Sequence, residues 1–331
     1  MTSLGSVPVD TQYGYAASSE RAPSGLVRGN DPAERLLAHV LREGRLRLLS
    51  SIRQATRQQS AWEQLQCLEG VCEVARALEA QLQALNPLQL DARIDGARRE
   101  LRRLGRLTGA MKLIAAARLR VEQAAGAGGQ EPNVVLRLLD QRRDRLRSSA
   151  IEELAGERTD ALIELLSNLE SMVALTPLAA QPCRQVMRGL RRKSTKRMRK
   201  ALAALSRDAK AAKWSRAWQL SQRAAVTAEL ARPFLGKATA RHARRAREVE
   251  SLLATVVAAD ITADVIALLP TSLMSGCGPG AVIGCHNCTC ATTRHADSRS
   301  ELAWRCDDLA QREKRRAKQS RRAVLEALRS V

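Results

Sequence analysis

Apolar residues in this chain recur at the three- and four-residue spacing of a helix face, as in the stripe Ile94, Ala97, Leu101, Leu104 and Met111. Turn and cap signals divide the pattern into segments. Asp31-Pro32 predicts a helix opening, with the helix running to about Gln59. Ser60 predicts the cap of a second helix that ends near Leu85, before Asn86-Pro87. A long helix follows from about Leu88 to Ala125, closed by Gly126, Gly128 and Gly129. Further helices are expected over Pro132–Leu154, Arg158–Leu175, Pro182–Ser206 and Asp208–Ala231, where Arg232-Pro233 punctuates the chain. Helical signal resumes to about Leu269. The longest apolar run, Leu252 to Met274, contains Asp260, Asp264 and Pro270, so it reads as a buried helix and not as a membrane span.

No run has the alternation or aromatic content of a strand. The expected fold is therefore all-α, two pseudo-repeated antiparallel helical bundles. Residues 1–30 lack the apolar core of a signal peptide and read as a disordered, flexible leader, which points to a cytoplasmic protein. The helical domain is expected over 31–274, in halves of about 31–176 and 182–274. A Cys- and Gly-rich segment over 275–297 and a basic helix over 298–331 complete the chain.

Composition sharpens this picture. At 331 residues and 45% hydrophobic content the chain can bury a sizeable core, yet aromatics make up only 2%. The core must then be built from Leu, Ala, Val and Ile. The same scarcity removes the stacking platforms by which proteins grip single-stranded nucleic acid. Against 34 Asp and Glu stand 55 Lys and Arg, a formal net charge of +21.

Those cations are not scattered. Arg188, Arg192, Lys196 and Arg199 fall within roughly 80° of arc on one helix. Arg98, Arg102 and Arg106 form a second ridge, widened by Arg99 and Arg103, and Lys237, Arg241, Arg244 and Arg245 form a third. Like charges one turn apart destabilise an isolated helix by a few tenths of a kcal/mol per pair. Three ridges imply a polyanionic ligand that offsets this repulsion; nucleic acid also satisfies the pattern.

Other chemistry is sparse. Cys67, Cys72 and Cys183 fall on predicted helices and read as small buried hydrophobes. Cys285, His286, Cys288 and Cys290 have spacings that could hold Zn²⁺ or Cu⁺, or could form disulfides, or could sit in a tail without a defined role. A second CxxC or HxxxH is lacking. His39 and His242 are isolated on helices, and no Ser-His-Asp order, HExxH, P-loop or dinucleotide fingerprint occurs. The expectation is a protein that is not an enzyme and requires no cofactor. Most carboxylates fall where Arg or Lys can pair with them, as with Glu152-Glu153 near Arg147.

Three segments resemble the CHAD family, the conserved histidine α-helical domain. Ile94–Leu107 (IDGARRELRRLGRL) is similar to the helix that carries a histidine followed by spaced cations in each half of that domain. Ile261–Leu269 (ITADVIALL) is similar to its acidic segment, with Asp264 at the second aspartate, and Val186–Leu205 to the basic helix before the second signature helix. Both namesake histidines are replaced, the first by Asp95 and the second near Trp214 or Ser215. The resemblance implies two bundles facing each other across a basic groove, and binding of inorganic polyphosphate there. It further implies association with polyphosphate granules. The implied ligands are Arg98, Arg102, Arg106, Arg188, Arg192, Lys196, Arg199, Lys237, Arg241 and Arg245. A polyphosphate offers charge and no base to read, so arginine forks and lysine charges suffice without aromatic platforms.

Overall fold

The computed structural model describes residues 27–125, 133–267 and 292–330. Nine α-helices occupy them: α1 (Ala33–Arg57), α2 (Ala61–Leu85), α3 (Ala92–Ala125), α4 (Asn133–Leu154), α5 (Glu157–Ser171), α6 (Cys183–Ala203), α7 (Ala211–Leu235), α8 (Lys237–Ala267) and α9 (Thr292–Ser330). Among the described residues there is no strand, only isolated bridges at Pro32–Pro182 and Gln89–Leu175. No helix among them is long and apolar enough to cross a membrane. Residues 1–26 of the expected leader lie outside the described residues, as do the candidate metal ligands Cys285, His286, Cys288 and Cys290.

The first half packs α1 to α5 around a core of aliphatic side chains that includes Leu37, Leu41, Leu48, Leu78, Leu101 and Leu166. Gly44 makes the α1–α2 approach possible, because a Cβ there would lie 2.3 Å from Leu78 Cδ1. This core does not stop at the boundary between halves. Cys183, Val186 and Met187 of α6 and Ala231 of α7 belong to it. Backbone hydrogen bonds from Ala33 N to Gln181 O (3.0 Å) and from Cys183 N to Asp31 O (2.8 Å) fasten the starts of α1 and α6 together. In the second half α6, α7, α8 and α9 meet at fully buried Trp214, with Leu253, Val256 and Val324 around it. Arg321 of α9 stacks over Trp214 at 5.9 Å and ion-pairs with Asp260 of α8 at 2.8 Å. The basic C-terminal helix is thereby built into the second bundle.

The helix boundaries differ from expectation where side chains find other partners. Asp31 does not cap α1; its carboxylate accepts from Arg28 N at 2.7 Å. Pro233 does not end α7: it sits inside the last turn, where its ring removes the N–H that would have bonded the carbonyl four residues earlier. The helix runs on to Gly236, whose φ of 76° is a left-handed value that favours glycine. α8 restarts at the next residue, Lys237.

Candidate polyanion-binding site

The three cationic ridges meet different fates. On α3, Arg98 is only 7% exposed and is enclosed by carboxylates: Asp95 at 2.7 Å and Glu79 of α2 at 3.5 Å, with Gln83 accepting a further hydrogen bond. Arg102 lies 3.4 Å from the same Glu79. Arg103 is held between Glu100 and Glu153. Glu153 thus pairs with Arg103, and Arg147 turns instead to Gln64 and Asp144. Arg158 clamps Glu100 from α5 at 2.8 Å, and with Arg103 holds its carboxyl down at about 2. Lys112 reaches Glu73 at 3.0 Å and Arg118 reaches Asp140 at 3.0 Å. Arg106 of this ridge is exposed and has no ion pair among the described residues.

The α6 ridge is the opposite case. Its apolar edge, Cys183, Val186, Met187 and Met198, is buried, and every Lys and Arg on the helix except Arg191 is exposed. Between Glu170 and Asp208 the chain contains no carboxylate at all. Among the described residues none of the nine cations of α6 has an ion-pair partner.

The α8 ridge is brought beside it. Short connections make α6, α7 and α8 successive antiparallel helices, so α6 and α8 run parallel on either side of α7. Met198, Ala224, Ala225 and Ala246 pack together at that contact. One turn earlier, Thr195 Oγ1 lies 2.8 Å from His242 Nε2. Above this contact opens a pocket of about 360 Å³ lined by Arg191, Arg192, Thr195, Lys196, Arg199 and His242. Arg245 is near enough to act electrostatically on the His242 ring, as are Arg191 and Arg199. Burial first, and then these three cations, pull the His242 pKa below the ordinary histidine value. Lys237 and Arg241, earlier on α8, are exposed and likewise have no ion pair among the described residues.

A second cationic group sits on the other flank of α6. Arg223 of α7 is half-buried, and its pKa is pulled below the ordinary arginine value. Burial is the main cause, followed by the field of Glu79, which opposes it, and then by repulsion from Arg98, Arg197 and Arg102. Arg223 of α7 thus lies within electrostatic range of Arg98 and Arg102 of α3 and of Arg197 of α6.

The large cleft between the halves, about 990 Å³, is not basic. Glu69, Glu73, Glu229, Glu248, Glu250 and Glu313 line it against Arg76, Lys112, Arg120, Arg244, Arg247 and Arg316. The basic groove expected between the bundles does not coincide with this cleft, whose opposed carboxylates offset its cations. Arg247, for example, is fixed by Glu229 at 2.7 Å and Glu250 at 2.7 Å. Arg244, expected in the third ridge, faces this cleft.

Arg191, Thr195, Arg197, Arg223 and His242 were not among the residues the spacing pointed to. His242 is not isolated, because α6 supplies its partner across a separation of 47 residues. The acid-free run from Glu170 to Asp208 is the signal that singles out α6 over α3. Cys72 and Cys183 are buried as expected; burial lifts the Cys183 thiol to about 11, which leaves it protonated and unreactive. Among the described residues no three His, Cys, Asp or Glu side chains gather to hold a metal.

No protein-family model matches the sequence, and no curated protein does. Two solved structures are similar over nearly the whole chain. PptA from Streptomyces chartreusis matches with a TM-score of 0.64 at 19% identity, over 91% of this chain and 100% of its own. The CHAD domain from the plant Ricinus communis matches with a TM-score of 0.66 at 14% identity, over 93% of this chain and 96% of its own.

Proposed function

We propose that this CHAD-fold protein binds inorganic polyphosphate, without catalysing a reaction on it, along the basic face that α6 and the start of α8 form together. The observation that carries the reading is the pocket lined by Arg191, Arg192, Lys196 and Arg199 beside an arginine- and lysine-rich helix that has no counter-ion among the described residues. Bare, clustered guanidinium groups repel one another, and a ligand with one charge per phosphate removes that repulsion while accepting forked hydrogen bonds. The binding groups are Arg188, Arg192, Lys196 and Arg199 of α6 with Lys237, Arg241 and Arg245 of α8. Arg98 and Arg102, largely satisfied by Glu79 and Asp95, act mainly in folding.

Duplex DNA or RNA is the competing ligand class, since an exposed basic helix can follow a phosphate backbone. Convergence of two helices on a concave pocket favours the thinner polyphosphate chain, which can enter where a duplex cannot. The test is competition at two salt concentrations: labelled long-chain polyphosphate is displaced by unlabelled polyphosphate, duplex DNA or single-stranded RNA of matched charge. Retention against both nucleic acids, lost in the triple variant Arg192→Ala, Lys196→Ala, Arg199→Ala, supports the reading. Equal displacement by all three polymers overturns it in favour of a non-selective charged surface.

A further inference from the structure

The contact between α6 and α8 fixes more than the walls of the pocket. Thr195 Oγ1 lies 2.8 Å from the carbonyl oxygen of Arg191, one turn earlier on its own helix, and 2.8 Å from His242 Nε2. A hydroxyl has one hydrogen, and a carbonyl can only accept, so the hydroxyl donates to Arg191 O. Thr195 Oγ1 must then accept from His242, which places the imidazole hydrogen on Nε2. In the neutral ring Nδ1 carries a lone pair, and it has no hydrogen-bond partner among the described residues.

That lone pair belongs to a ring lining a pocket built for anions. A neutral Nδ1 can only repel a phosphate oxygen; a protonated Nδ1 donates to it and adds a charge. The groups that act on the ring are cations throughout: Arg191 and Arg199 from α6 and Arg245 from α8, with Arg192 and Lys196 completing the wall. No charged group of α7, which packs against both helices, is among those that shift it. Without a ligand, burial and these cations keep the imidazole neutral at pH 7. A bound polyanion reverses the sign of the local field.

Resting on the polyphosphate reading, we infer that His242 is a proton-linked ligand of the pocket: it takes up a proton as the phosphate chain binds and donates that proton's hydrogen bond from Nδ1. The sign follows from linkage. The complex holds one more proton than the free protein between the free and the bound pKa of His242, so affinity rises as pH falls through that interval. It levels off below the free value, where both states are protonated. A rise of one unit in the pKa on binding corresponds to a tenfold change in affinity.

The test is calorimetric titration of the full chain with long-chain polyphosphate, whose few terminal phosphates contribute little titration of their own. Measurements at pH 7 in buffers of different ionisation enthalpy give the number of protons taken up. The expected result is uptake of up to one proton per site and an affinity that increases about tenfold from pH 8 to pH 6. His242→Gln, whose amide N–H can still donate to Thr195, is expected to bind with pH-independent affinity and no uptake of that proton. Binding by the wild type with neither uptake nor pH dependence overturns the inference and leaves the polyphosphate reading intact. Unchanged uptake in His242→Gln also overturns it, and absence of binding at every pH overturns both.

Discussion

Helices α3 and α6 carry the same number of Lys and Arg residues, nine each, and have opposite electrostatic characters. On α3 the carboxylates of α2 and α4, with those of α3 itself, reach Arg98, Arg102, Arg103, Lys112 and Arg118. Those arginines act as cross-links between helices, and Arg98 is buried because its charge is answered. On α6 no carboxylate comes within reach among the described residues, and all the arginines but the half-buried Arg191 stand in solvent. A count of cations is therefore a poor guide to where an anion binds. What distinguishes a binding face from an ion-paired one is the carboxylate inventory of the neighbouring helices.

The largest expected effect is on the bare side. Replacing Arg192, Lys196 and Arg199 together with alanine is expected to weaken polyphosphate binding about thousandfold at low salt, roughly 4 kcal/mol. The slope of log affinity against log salt should flatten with it, as fewer counter-ions are released. The fold should survive, because these side chains are exposed, so thermal unfolding of the triple variant should match the wild type. A large loss of stability there would break the comparison.

On the paired side the order is reversed. Arg98→Ala leaves Asp95, Glu79 and Gln83 without their shared donor and is expected to cost about 3 kcal/mol of stability, measured by denaturant unfolding. Polyphosphate affinity of the folded fraction should change less than threefold. A thousandfold loss of binding in this variant would place α3 among the ligand-binding helices after all.

Acid titration separates the two faces further. Glu100 is held at about 2 in the folded chain by Arg158 and Arg103, against an ordinary value of 4.5 when unfolded. Its contribution is present above pH 4.5 and is lost as pH falls through about 2. Solvent screening reduces it to about 1 kcal/mol. Glu100→Gln should remove that part of the acid sensitivity, seen as a flatter stability profile over this interval.

The smallest effect sharpens the comparison most. Arg106 is on α3 yet bare, and it lies apart from the α6–α8 pocket. Arg106→Ala is expected to alter polyphosphate affinity by less than about 0.5 kcal/mol in the competition assay. An effect equal to that of Arg192→Ala alone would mean that exposure, and not placement beside α8, is what counts.

The fold was legible in the sequence to a large degree. Periodicity and the prolines at 87 and 182 locate most of the described helices, and the near absence of aromatics announces an aliphatic core. The candidate site was legible in part. Lys196 and Arg199 were visible as a ridge, whereas His242 looked isolated and Arg223 belonged to none of the three ridges.

By itself, the chain's order of residues determined that it is helical, that its cations form stripes, and that α6 has no carboxylate of its own or from its flanking segments. Helical periodicity fixes all of this, because it relates residues three and four apart on the same helix. Tertiary structure decided which stripes are spent on ion pairs. Glu79 meets Arg98 across 19 residues, Glu153 meets Arg103 across 50, and Thr195 meets His242 across 47. Such pairings depend on which helix faces lie within about 4 Å of each other after packing, a distance set by the shared apolar core and not by any local repeat.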